Sequence, residues 1–508
     1  MYIEIRQLTF LLRSFWKKYP ALLYACAVLL GTYACLSFNL SLLFVEFLFL
    51  FPFLNSWQKL TTLLSIQALT AIYVFNAFQE PELEEEKVKG EAWVYPIKIR
   101  EKPGRSKYNS LQASIRYFSP YSQKEKAYGH HFQATVLIGK TQKIPSLRKA
   151  YRIPGTLQKQ GDTYLFYPSA SRNWKSIPYT FSLASWRKIC GDWVREKISS
   201  STKNQYTQQF LYSLALADPG GDYLTYEFRR FGLQHILVVS GFHFALLALL
   251  LENFLSLFLP ISIKRSLTLT LLTLYFLFLG SSASIERAWC MVCLAQISQI
   301  RSRPAYALNN LGIAMIFILF IRPQACLSIG FQFSFLATAA ILLMHQPCEY
   351  LLRRIIPQRS FTYCVQIQVM DQIACLILQF LRNALALSIA VNCFTLPLVL
   401  FHFHRFSWTS LLYNLFFPLL VSFSLMLLFL ALFTPLMGTY LHKINSLYTE
   451  KILNIVTHTP TNWDFALRIN EISPIFVISY LSILTIFIVC LRESLEQHEK
   501  LLINWRYL

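Results

Sequence analysis

The chain reads as a polytopic α-helical membrane protein of about eleven transmembrane helices, carrying an inserted small all-β, OB-like extracytoplasmic domain. Three observations predict this class. Its 508 residues are 55% hydrophobic and only 14% charged, with a mean hydropathy of +0.41, whereas soluble domains carry about 25% charged residues. Apolar stretches of spanning length recur along the chain. Between the third and fourth of them lies a long polar stretch that breaks into short, β-like pieces.

The apolar stretches are 21–38, 40–54, 60–78, 235–259, 266–280, 284–300, 305–321, 325–345, 373–401, 409–433 and 475–491. The second is short, and 373–401 is long enough for two segments. Arg6, Arg13, Lys17 and Lys18 before the first run resemble a signal-peptide n-region. A second apolar segment follows at once, however, with no Ala-x-Ala site, and Tyr33 spoils a lipoprotein box at Cys35. Residues 1–78 are therefore read as retained N-terminal spans.

The polar stretch opens on "EPELEEEKVKG" and continues as "GEAWVYPIKIR", "SLQASIRYFS", "HFQATVLIGK" and "DTYLFYP", separated by turn residues. Several short strands rich in Val, Ile, Tyr and Phe within 79–182 suit an OB-type barrel, and a generic sandwich almost as well. Residues 183–230 mix Trp, Phe and Leu with Lys and Arg. That composition fits an interfacial helix, or equally an amphipathic helix packed on the barrel. The remaining chain is read as a transmembrane core, 231–435, then a C-terminal loop, a last span and a short tail, 436–508.

Charge predicts the topology. The basic N-terminus argues for a cytoplasmic start, which leaves the β domain outside. Continued alternation puts Lys264-Arg265, Arg301/Arg303 and Arg353/Arg354/Arg359 on the cytoplasmic side, and the C-terminus outside. Cysteine usage adds little: none of the eleven falls within 87–186, so no disulfide framework arises there. Cys290 and Cys293 form a CxxC that reads as helix packing.

Residues 87–197 hold 22 Lys and Arg against 6 Asp and Glu. Long loops cross membranes largely regardless of charge, so this excess is no topology signal. Nucleic acid is one explanation, because a basic surface gains affinity for phosphates through counterion release and aromatics stack on bases. Trp93, Tyr95, Lys98, Arg100, Lys107, Arg116 and Lys124 are the candidate contacts, among further aromatics that include Tyr117 and Phe118. The bland alternative has the aromatics filling a barrel core and the lysines solvating its surface or meeting anionic lipid.

Ionisable groups at membrane depth are costly and face an interior or a wet cavity. His235 and His243 flank Ser240-Gly241 in "HILVVSGFHFALLALLL". Glu286 and Arg287 follow in "GSSASIERAWCMVCL", then Asn309, Asn310, Gln332, Asn392 and Asn414. Adjacent residues point to different sides of a helix, so Glu286 and Arg287 each need a partner of their own. Ser240-Gly241 is placed to interrupt a helix, as at transport sites, or to admit a close neighbour. Taken together, these groups point to a hydrated path. His402-x-His404 in "FHFHRF" lacks the Asp-His of a metallohydrolase signature, and no GxxxxGK[ST] phosphate loop occurs. No metal and no cofactor are expected.

The ordered blocks "FLYSLALADPGGDYLTYEFRRFGLQHILVVSGFHFALL", "GSSASIERAWCM", "NNLGIAMIFILFIRPQACLSIGFQFSFLATAAILL" and "LPLVLFHFHRFSWTSLLYNLFFP" resemble the ComEC family of competence proteins. The likeness covers roughly residues 20 to 435. It implies an inner-membrane channel that admits single-stranded DNA during natural transformation, with an extracytoplasmic OB-like domain. Its pattern positions here are His235, Ser240, Gly241, His243, Arg287, Gln332, Asn392 and Asn414; the pattern does not decide between lining a path and holding helices together. Many members continue into a metallo-β-lactamase-like domain; here the chain ends at "LRESLEQHEKLLINWRYL". A separate nuclease, a DNA receptor and a cytoplasmic motor or single-strand-binding protein are the implied partners, beside the lipid bilayer. Glu286 departs from the apolar residue that the pattern places beside the arginine. The chain is read as no enzyme. Rival readings are a carrier for a small anionic solute and an intramembrane hydrolase using His235, Ser240 or His243, although no carboxylate is evident to orient either ring.

Overall fold

Every apolar stretch of the sequence contains a helix. A computed structural model describes residues 2–37, 40–77, 87–100, 108–121, 132–139, 145–146, 149–160, 163–169, 174–178, 183–217, 221–237, 241–280, 282–359, 366–434, 437–460 and 465–506. These divide into two units, one formed by 1–72 with 195–508 and the other by 73–194. The first is helical and the second is a β barrel.

In the helical unit, α1 (Tyr2–Lys18) meets α2 (Pro20–Leu36) at a bend of 99°. Pro20 disfavours helical geometry at Tyr19, which breaks the run there. α3 (Leu40–Leu50) and α4 (Trp57–Ala77) follow. Past the barrel come α5 (Leu183–Ser201), α6 (Gln205–Leu216) and α7 (Asp222–Arg230). Then come α8 (Gly241–Leu255), α9 (Ile261–Leu279), α10 (Ala283–Ile300), α11 (Ala307–Ile321), α12 (Ile329–Leu352), α13 (Val369–Phe403), α14 (Thr409–Phe433), α15 (Gly438–Thr457) and α16 (Pro474–Arg506). Four described segments, in α12, α13, α14 and α16, are individually long and apolar enough to cross a membrane, and the bent α1–α2 pair adds a fifth if it is one span. Within 183–230, α6 buries Phe210, Leu211 and Leu214 and α7 buries Leu224 and Phe228, all as core of the helical unit.

Side-chain contacts give the helices a common direction. At one end, Asn309 accepts from the Ala21 N–H at 3.2 Å and donates to the Lys18 carbonyl at 3.3 Å. It thereby satisfies a donor that the start of α2 leaves unpaired. Gly312 lets α11 lie directly on α2; a Cβ there would sit 2.6 Å from the Ala21 carbonyl. Lys18 also reaches Glu493 on α16 at 2.6 Å. The same end holds Arg265, which donates to the Gln299 carbonyl at 2.8 Å beside the end of α10, and Arg353, which ends α12. At the opposite end, Tyr33 on α2 donates to the Cys326 carbonyl at 3.0 Å, just before α12 begins. The three basic loops picked out in the sequence therefore share an end with Lys18.

The stretch after 436, read from sequence as a loop before the last span, contains a twenty-residue helix, α15. It runs antiparallel to α14: Tyr448 donates to the Leu420 carbonyl at 3.1 Å, and Gly438 abuts the Ala431 carbonyl. Strands β7 (Arg405–Ser407) and β8 (Ala466–Arg468) pair antiparallel and close the outer ends of this hairpin. Hydropathy misses α15 because its buried face is polar. His442, Asn445, Ser446 and Thr449 all lie on that face, and Ser424 on α14 bonds Asn445 and Thr449 at 2.9 and 2.8 Å. Beyond this hairpin, α16 brings Glu493 beside Lys18.

The second unit has strands β1 (Lys87–Arg100), β2 (Tyr108–Pro120), β3 (Phe132–Gly139), β4 (Lys149–Gln160), β5 (Thr163–Pro168) and β6 (Lys175–Pro178). Five of them close in the order β1-β2-β3-β5-β4 and back to β1, with β3 and β5 parallel and β6 added beside β4. Ala92, Val94, Leu111, Ile115, Phe118, Ile153 and Phe166 fill the interior. Gly90 and Gly155 face each other across β1 and β4; a Cβ on either would collide with a backbone carbonyl and with the ring of Phe118 or Phe166.

Candidate functional site: a polar collar at one end of the helical unit

Described residues flank the Ser240-Gly241 pair on both sides. A short 3-10 turn covers Gln234–Leu237 and α8 starts only at Gly241; Ser240 lies outside the described residues. What Gly241 admits is a side chain rather than a backbone. A Cβ on it would lie 2.7 Å from Nη2 of Arg287, so the guanidinium rests directly against the start of α8.

Arg287 is half-buried on α10. Its Nε donates to Ser334 Oγ on α12 at 2.8 Å, and Nη1 approaches Met291 Sδ at 3.7 Å. Among the described residues it has no carboxylate partner. Glu286, one residue earlier, turns to another neighbour and forms an ion pair with Arg322 at the end of α11. The expectation that these adjacent charges take separate partners matches this arrangement.

Two residues before Ser334, Gln332 links three more elements. Its Oε1 and His402 Nε2 on α13 are 2.9 Å apart. Its Nε2 donates to Tyr33 Oη at 3.1 Å and to the Cys326 carbonyl at 3.3 Å. Because the amide oxygen can only accept, the His402 proton sits on Nε2. The histidine pair of "FHFHRF" therefore serves other ends: His402 bonds this amide, while His404 caps α13 in the left-handed region at φ 51°. Among the described residues no group of three His, Cys, Asp or Glu side chains gathers to hold a metal.

The starts of α8, α10 and α12 thus converge with the ends of α2, α11 and α13. Gly241, Arg287 and Gln332 meet there, together with Glu286, Arg322, Ser334, His402 and Tyr33. His243, in the first turn of α8, is buried, whereas His235 is exposed; the two rings are within electrostatic reach of each other. Asn392 stands apart. It donates to the Ser388 carbonyl and hydroxyl of its own helix at 2.8 and 3.3 Å, about 15 Å further along α13. Asn414 on α14 has a buried Oδ1 with no hydrogen-bond donor among the described residues.

Sequence reasoning missed Arg322, Ser334 and Tyr33, and it set His402 aside. Arg322 had a signal, a cation closing an apolar run just before Pro323. It also missed Arg230, whose guanidinium pairs with Glu227 at 3.0 Å and donates to the Thr459 and Pro460 carbonyls at 2.7 and 2.9 Å, fastening α7 to the end of α15.

On the barrel, the alternation of β1 settles which aromatics are core. Gly90, Ala92, Val94 and Pro96 point inward, whereas Trp93 is exposed and Tyr95 is partly exposed on the outer face, beside Lys87 and Lys89. Phe118, by contrast, is fully buried. Lys98 and Arg100 lie on β1 opposite Gln112 and Ser110, and Arg116 lies on β2. Lys107 and Lys124 fall outside the described residues.

Buried and half-buried polar groups from six helices are thus grouped at one end of the apolar bundle. A family model described as "Competence protein" matches residues 222–494. The chain belongs to this family of ComEC/Rec2-like competence proteins. It is also similar to "Uncharacterized protein MG316 homolog" of Mycoplasma pneumoniae (strain ATCC 29342 / M129 / Subtype 1). The two are 27% identical over 238 residues, which cover 46% of this chain and 59% of the relative. No solved structure matches.

Proposed function

We propose that the protein is a cell-membrane conduit for single-stranded DNA in natural transformation. The observation that carries this reading is the polar collar, in which Arg287, Gln332 and His402 replace apolar side chains at one mouth of a helical unit from the competence family. The chain would cross the membrane about twelve times. Eleven crossings are the apolar helices; α15 adds one by returning along α14. The basic end with Lys18 would face the cytoplasm, and the collar would open on the outer side.

The barrel would lie outside and capture the strand. Its strand order, with β3 parallel to β5, supports an OB-type assignment. Trp93 and Tyr95, exposed and half-buried on its outer face, would stack on bases. Uptake energy, nuclease and receptor functions would come from partner proteins.

The test is uptake of labelled DNA by cells producing Arg287→Ala or His243→Ala at normal protein levels. Loss of uptake is expected from Arg287→Ala. Wild-type uptake from both variants would remove the collar from the mechanism.

A further inference from the structure

Arg287 and Arg322 are two cations at the mouth of the bundle, and Glu286 is the carboxylate beside them. Coulomb forces alone would let the adjacent Glu286 and Arg287 offset each other, since their backbones are about 3.8 Å apart. The side chains do otherwise. Glu286 is turned to Arg322 on α11. Arg287 is turned the other way, toward Ser334 on α12 and the bare backbone of Gly241 on α8. Ser334 is neutral and accepts only one of the guanidinium's five donors.

We propose that Arg322 sets the charge of the collar: by holding Glu286, it leaves Arg287 uncompensated, and the collar selects for anions, the phosphodiester backbone being the anion it would meet. This rests on the conduit reading above and specifies how that conduit discriminates. Arginine rings are a recognised source of anion and phosphate selectivity in pores. In this collar the ring has been reduced to one uncompensated, half-buried guanidinium by an ion pair that takes up the only neighbouring carboxylate among the described collar residues. Arg322 is therefore a positioning residue, acting on the cargo through Glu286 and Arg287.

The proposal orders four variants by charge. Wild type and the Glu286→Gln/Arg322→Gln double variant both leave one net positive charge. Arg287→Gln and Arg322→Gln each leave none, and Glu286→Gln alone leaves two. The full chain is purified and reconstituted in vesicles, and entry of iodide is compared with entry of thallium(I), each read by an internal dye. The wild type is expected to favour iodide. Arg287→Gln and Arg322→Gln should lower the iodide-to-thallium ratio roughly tenfold, Glu286→Gln should raise it, and the double variant should restore it.

A merely structural clip between α10 and α11 predicts otherwise, namely that the double variant is as impaired as Arg322→Gln; that result overturns the proposal. So does a wild type that passes no iodide, or an Arg322→Gln protein with an unchanged ratio. A labelled single-stranded oligonucleotide offered to the same vesicles under an inside-positive potential separates the two readings. If the ion series holds and the oligonucleotide stays outside, the DNA-conduit reading fails while the selectivity assignment stands.

Discussion

Lys18, one residue before the bend into α2, holds the fully buried carboxylate of Glu493 on α16 at 2.6 Å. The first and last apolar helices are thereby tied at the same end of the bundle. Ser14 also donates to Glu493, at 3.0 Å, and the adjacent Arg492 donates to the Leu342 carbonyl and the Tyr19 hydroxyl.

This contact predicts that both termini face one compartment. A fluorescent reporter fused after Leu508 should light up as an N-terminal fusion does, and an alkaline phosphatase fusion there should be inactive. Phosphatase activity at the C-terminus would refute the tie.

The energetics of the contact are unequal. Removing Lys18 leaves Glu493 buried without its cation, which costs about 3–5 kcal/mol. Glu496 is more exposed and shares the same lysine, so its loss should cost only about 0–1 kcal/mol. Thermal unfolding of the purified protein should therefore rank Lys18→Met well below Glu496→Gln. Equal effects would show that the buried pair is not the stronger interaction.

Gly241→Ala should separate function from stability. The atom its methyl would meet is the far end of the Arg287 side chain, which can swing away with little strain. Alanine also favours helix by up to about 1 kcal/mol over glycine. The variant is expected to accumulate normally, to unfold within about 1 kcal/mol of wild type, and to lose DNA uptake because Arg287 is displaced. Normal uptake would show that the guanidinium's seat is immaterial.

On the barrel, Trp93→Ala and Phe118→Ala should part company. Trp93 is exposed, so its loss should leave the 87–190 fragment folded and weaken single-strand binding by about 1–3 kcal/mol. Phe118 is fully buried, and its truncation should cost about 3–5 kcal/mol of stability. Urea unfolding and a salt titration of oligonucleotide affinity read the two effects. A folded Trp93→Ala fragment with unchanged affinity would take Trp93 out of the interface.

Much of this architecture is legible in the residues. The apolar runs mark their helices because burial in lipid tolerates little else, and the alternation of β1 declares a barrel wall. Glu286 and Arg287, as sequence neighbours, could be assigned separate partners before either partner was known. Three things were hidden. Helix α15 hides because a helix that buries Asn445 and Thr449 against Ser424 offers no hydropathy signal. Arg287 gives no hint that its seat is Gly241, because 46 positions separate them and only tertiary packing joins α8 to α10. His402 was obscured by a metal-like pattern whose second histidine caps a helix end.

The polarity of α15 also bears on how the protein is made. Lys443, Lys451 and the His442-Asn445-Thr449 face would each resist entry into lipid, at about 2.5–3.5 kcal/mol for a central lysine. Alone, this segment is a poor substrate for the insertion machinery. In the conduit reading it would enter the bilayer only once α14 is there to offer Ser424 to Asn445 and Thr449, so the two helices would be committed during synthesis as a pair. Substitutions such as Ser424→Leu should thus act in biogenesis, stranding the last quarter of the α14-to-α16 region on the wrong side before any cargo arrives.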